Sequence, residues 1–194
     1  MVTPLTVTAG WLRQYAAALG DGMEPRRARI EATRLSGISG KEFAHCRIST
    51  GTLTVPVSGG AVVLKRHGAD PPLSEHGKWR REHLGAWNAA YGRTPYYIHL
   101  MPEIEGVYAR SEGMTLEEFN SALLEVALGW LDTSVWLPAV ATTDGSDSSQ
   151  SGARRLKEER RLEEVRVEAR ARVNESLSIF DALFRLGRYG VFAI

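Results

Sequence analysis

Between Lys78 and Tyr91, Trp79, His83, Trp87 and Tyr91 recur at every fourth position, with Ala86 and Ala90 widening the stripe. A period near 3.6 places them on one face of an α-helix. Arg80, Arg81 and Glu82 lie mostly off that face. Three large rings and an imidazole on one helical face require a covering surface, and the rest of the second half supplies helices. Thr94 and Pro95 read as the N-cap and first residue of the next element, which Pro102 is expected to divide. Thr115-Leu116-Glu117-Glu118 is a capping box, and Phe119, Leu123, Val126 and Trp130 form the buried face of the helix it opens. Ser178-Ile179-Phe180-Asp181 opens a last short helix through Leu186, which Gly187 ends.

The first third reads differently. Val2–Thr8 alternates loosely as a strand, and a short helix from Trp11 to Leu19 follows. Ala28-Arg29-Ile30-Glu31-Ala32 alternates as a half-buried strand would. From Phe43 to Ile48, the residues Ala44, Cys46 and Ile48 face one way, and Phe43, His45 and Arg47 the other. Leu53, Val55 and Val57 form another alternating set. Pro56 puts that strand on an edge or ends it at a bulge. The Ser58-Gly59-Gly60 turn leads to a further strand at Ala61–Leu64. Short turns make an antiparallel meander the simplest topology. The expected fold is therefore of the α/β class in its α+β form, an N-terminal, mainly antiparallel β-meander packed against C-terminal helices.

At 194 residues the chain fits one domain, 1–194, with a flexible loop expected at 138–152. Residues 165–173 suit a strand or the continuation of a long helix. A net charge of +1 and a charge-balanced Arg/Glu run at 153–172 argue against a nucleic-acid partner. Cys46 is the sole cysteine, so neither an internal disulfide nor a cysteine-based zinc site is available. No signal peptide or membrane-spanning run of about 20 apolar residues is evident, and a cytoplasmic location follows. The histidines His45, His67, His76, His83 and His99 show no metal-ligand spacing. No glycine-rich phosphate loop is present, and no cofactor is identified.

Five segments in order resemble the WbqC-like protein family, especially members from Bacteroidetes-type bacteria. They are HCRI, LTVPV, KWRREHLGAWNAAYGRTPYY, LEEFNSALLEVALGWL and SLSIFDALF, spread over about residues 40–186. The N-terminus departs from the family pattern. TAGWLRQYAAAL keeps only Tyr15 of the usual Pro-Pro turn and Tyr-Phe pair, and the family's Asn-Arg pair falls on Ala44 and His45. Arg47 is the retained basic residue of that strand. The resemblance implies surface-polysaccharide (O-antigen-type) biosynthesis, with amino-acyl (glycine) or acyl transfer to a sugar-nucleotide-like acceptor. The departures suit an alternative, a non-catalytic binding or assembly protein that keeps the fold without the chemistry.

Candidate site residues follow from side-chain chemistry. His45 and Arg47 project from one strand face about 7 Å apart, a spacing that lets two donors converge on a phosphate or carboxylate. Phe43 is expected beside them. An exposed polar strand face is the alternative. His83 is the candidate for proton transfer, since imidazole titrates near neutrality. A core histidine hydrogen-bonded between aromatics is the commoner reading of such a position. Asn120 and Tyr91 are candidates for positioning a substrate. Ser178 and Asp181 could be a nucleophile and its partner, although their spacing is that of a helix-capping pair. The expected ligand is a small anionic or sugar-nucleotide molecule.

Overall fold

The computed structural model describes residues 3–5, 7–66, 68–131 and 176–187. Two helices open the chain, α1 (Ala9–Gly20) and α2 (Pro25–Leu35). Thr8 caps α1 by accepting the Trp11 N–H. Glu24 caps α2 with its carboxylate, which accepts from the N–H groups of Arg26 and Arg27, and Pro25 occupies the first turn. The two helices pack against each other. Trp11 Nε1 donates to Thr33 Oγ1 (3.0 Å), and Ser36 Oγ donates to Gln14 Oε1 (3.0 Å).

The segment Ala28–Ala32 is therefore helix rather than strand. Ala28, Ala32 and Thr33 are its buried positions, four and five residues apart, and Ile30 lies outside at 45% exposure. Tertiary packing of a narrow alanine stripe against Trp11 outweighs the local alternation. The described residues of the stretch 2–8 are not strand either, although Leu5 and Val7 are buried there.

A 3₁₀ helix (Gly40–Ala44) leads into the sheet, an antiparallel hairpin of β1 (His45–Ile48) and β2 (Gly51–Thr54). Its register pairs His45 with Thr54, Cys46 with Leu53, Arg47 with Thr52 and Ile48 with Gly51. Pro56, which lacks the ladder donor, follows the end of β2, and Val57 makes only a single bridge to Leu73. The meander ends there. Gly59 and Gly60 both take left-handed backbone (φ 82° and 68°), which coils Gly60–Lys65 into a second 3₁₀ helix where a third strand was expected. Val62 is 67% exposed as a result. Among the described residues the antiparallel sheet is thus one hairpin, and the molecule is an α+β fold.

Beyond Lys78 the described residues are mainly helical, as their periodicities require: α3 (Trp79–Tyr91), α4 (Tyr97–Ala109), α5 (Leu116–Trp130) and α6 (Ile179–Leu186). Trp79, His83, Trp87 and Tyr91 are the buried residues of α3. Tyr91 stacks on Phe184 of α6 at 4.8 Å, and Trp87 meets Phe180 edge-on at 5.7 Å. Burying each such ring contributes about 2–3 kcal/mol. The capping box at Thr115 and Glu118 forms as the sequence indicates.

Thr94 does not cap α4. Its hydroxyl donates instead to the Tyr91 carbonyl at the end of α3 (2.6 Å). Pro102 does not divide α4, which runs unbroken past it. Proline deprives the Ile98 carbonyl of its helical donor, and Ile98 is 71% exposed. The loop expected at 138–152 and the segment 165–173 lie outside the described residues.

Candidate functional site

The start of α6 is stitched to the hairpin and to the N-terminal segment. The Ser178 N–H donates to the Arg47 carbonyl (2.9 Å), and the Ile179 N–H to the Val7 carbonyl (2.8 Å). Ser178 Oγ meanwhile caps α6 by accepting from the Phe180 N–H. Between these joined pieces lies a cleft of about 330 Å³. His45, Arg47 and Thr52 of the hairpin line it, together with Thr8, Ser36, Glu42 and Ser178. Strand alternation delivers this arrangement: Cys46 and Ile48 are buried, while Arg47 is exposed and His45 half-buried. The cleft combines a cation, an imidazole and several hydroxyls. Glu42 Oε2 is engaged by the Ser39 N–H (3.0 Å). Phe43 is not on this face; it ends up buried within the preceding 3₁₀ helix.

The other three candidates are in the core. His83 is 5% exposed, with Nε2 3.2 Å from the Thr54 carbonyl and Nδ1 3.1 Å from the Tyr108 hydroxyl. A carbonyl only accepts, so Nε2 carries the proton and Nδ1 accepts from Tyr108 O–H. The Tyr108 oxygen in turn accepts from Trp87 Nε1 (3.5 Å). Burial lowers the His83 pKa to about 4, against the upward pull of the Thr54 carbonyl. Burial also raises the Tyr108 phenol well above its usual range. The imidazole is a neutral tie between α3, α4 and the hairpin edge, and it does not line the cleft.

Tyr91 is fully buried, and its hydroxyl accepts from the Ser49 N–H in the hairpin turn (3.0 Å). Burial pushes its pKa up to about 12, with the Asp181 carboxylate adding to the rise. Asp181 is itself buried and is bonded to Arg185 Nε (3.1 Å). Ser178 and Asp181 therefore divide their tasks: the serine caps α6, and the aspartate holds Arg185 beside Tyr91. Asn120 is fully buried, and its Nδ2 donates to the carbonyls of Thr3 and Phe43, each at 2.9 Å. Its Oδ1 has no partner among the described residues. That amide locks the N-terminal segment and the 3₁₀ helix before β1 onto α5.

Residues 44–172 match the model of the WbqC-like protein family. The chain belongs to the WbqC-like family. No curated protein and no solved structure is found to match it. In this WbqC-like chain, His45, Arg47, Thr52, His83, Tyr91 and Asn120 all fall within the matched span. Thr8, Ser36, Glu42 and Ser178 lie outside it, so the family segment supplies the cleft's hairpin wall and flanking segments supply the rest. Of these, Thr8, Ser36 and Glu42 were not singled out in the sequence as site residues, and Ser178 was weighed only as a nucleophile or a helix cap. Ser36 looks like a helix end and Ser178 like a cap, and nothing local marks either as facing Arg47. Among the described residues, no helix is long and apolar enough to cross a membrane.

Proposed function

We propose that this WbqC-like protein works in the cytoplasm in surface-polysaccharide assembly, binding an anionic, sugar-nucleotide-like ligand in the His45–Arg47 cleft. The observation that carries the reading is the placement of an exposed guanidinium, without a partner among the described residues, and an imidazole on one strand face, opening into a hydroxyl-lined cleft. Arg47 would grip a phosphate or carboxylate through two parallel N–H bonds, and hydroxyls such as Ser36 and Thr52 suit a sugar. In the transferase form of this reading the reaction is glycyl or acyl transfer to the bound sugar. His45 then takes the proton-transfer role, because His83 is committed to Thr54 and Tyr108. Tyr91 and Asn120 act as positioning residues, holding the hairpin turn and the segment before β1. A second reading, binding without catalysis, draws support from the burial and neutrality of His83.

The test is thermal unfolding with UDP-glucose and UDP-N-acetylglucosamine. A rise in Tm for the wild type, lost in Arg47→Ala, supports the cleft as the ligand site. No rise, or an equal rise in the variant, removes it. Mass spectrometry of the sugar nucleotide after incubation with glycyl-tRNA or acetyl-CoA separates the two forms. A mass gain abolished by His45→Gln supports the transferase, and binding without mass gain supports the second reading.

A further inference from the structure

A second cleft, of about 640 Å³, adjoins the first. Both are lined by Ile38, and the turn Ser36–Gly40 forms the ridge between them. The floor of the second cleft is built where the two 3₁₀ helices meet. A Cβ added at Gly40 would lie 3.9 Å from the Leu64 carbonyl oxygen, so the ridge runs close beside Lys65. Lys65 and Arg66 line this cleft and are exposed, and neither pairs with a carboxylate among the described residues. Glu42 is turned to the Ser39 N–H and lines the first cleft, not the second. Cations without a carboxylate partner among the described residues therefore stand on both sides of one narrow turn: Arg47, beside the His45 imidazole, on one, and Lys65 and Arg66 on the other.

We infer that the second cleft is a subsite for a further anionic group, so that the ligand is an elongated, multiply charged anion of the diphosphate type spanning the ridge at Ile38. The inference rests on the His45–Arg47 cleft as the primary anion site. Its physical basis is simple. The exposed cations on the two sides of the ridge, Arg47 on one and Lys65 and Arg66 on the other, each contribute a modest, salt-screened attraction, and only an anion long enough to reach both sides collects all of it.

Calorimetric titration at low ionic strength with orthophosphate, pyrophosphate and tripolyphosphate tests it, on the full chain. Affinity should climb with anion length for the wild type. Lys65→Ala/Arg66→Ala should weaken tripolyphosphate by about fivefold, the size expected of two exposed cations, while leaving orthophosphate unchanged. Arg26→Ala/Arg27→Ala removes the same charge about 15 Å from Ser36, at the far end of α2, and should change neither. An unchanged length dependence in Lys65→Ala/Arg66→Ala, or an equal loss in the α2 variant, overturns the subsite. If Arg47→Ala still weakens orthophosphate in that case, the primary cleft stands and only the subsite fails. Absence of any binding by the wild type sinks both.

Discussion

His45 and His83 lie within a few residues of the same hairpin in space, one in the cleft and one in the aromatic core. His45 is half-buried among Arg47, Thr52 and Ser178. His83 bonds the Thr54 carbonyl, and Thr54 is the register partner of His45. The difference between them is solvent. Without water, the imidazole of His83 stays neutral and each nitrogen is used up by a structural partner. His45 lines the cleft beside Arg47, and its nitrogens have no hydrogen-bond partner among the described residues. Chemical type alone does not tell a cleft histidine from a strut; burial does.

The comparison breaks most readily at His83. His83→Ala should cost about 4 kcal/mol, since it opens a cavity and strands Tyr108 O–H and the Thr54 carbonyl. Urea denaturation measures it, and a loss under about 1 kcal/mol would mean that the imidazole is not a strut. The pH dependence comes next. The folded pKa of about 4 lies below the unfolded value of 6.5, so the unfolded chain binds the extra proton between them. Stability contributed by this group is present above pH 6.5 and is lost as pH falls toward 4, by at most about 3 kcal/mol. His83→Gln should flatten that part of the profile, and His45→Gln should leave it in place.

Asn120→Ala should cost about 2 kcal/mol, because two buried carbonyls lose their donor. Chemical denaturation checks that value. Tyr91→Phe should cost about 1 kcal/mol, through the orphaned Ser49 N–H in the hairpin turn. Its hydrogen exchange at Ser49 should quicken. Arg47→Ala should change stability least, by under about 0.5 kcal/mol, because its guanidinium has no partner among the described residues. Ligand binding, not unfolding, should register that substitution.

Legibility followed the same division. Long helical periodicity was readable at Trp79–Tyr91 and Leu116–Trp130, where a four-residue stripe or a capping box repeats over several turns. Short segments were not. Ala28–Ala32 alternates like a strand, yet Glu24 and Pro25, just upstream, are the true signal of a helix start. Ala61–Leu64 is apolar enough for a strand, but two left-handed glycines turn the chain first. At the site, the alternation of His45 and Arg47 against Cys46 and Ile48 was correct in the sequence. The bond from Asn120 to the chain before β1 joins residues 77 apart, and no local pattern announces it.

From its residues alone, this chain declared the helices of its second half, the hairpin strand carrying His45 and Arg47, and its family pattern. Those features depend on spacing between near neighbours, which the sequence records directly. Only the tertiary structure decided that His83 would be sealed against Thr54 and Tyr108 and that Ser178 would close the cleft beside Arg47. Burial and long-range hydrogen bonds are properties of the packed assembly, because water access at one residue is set by side chains far away in the chain.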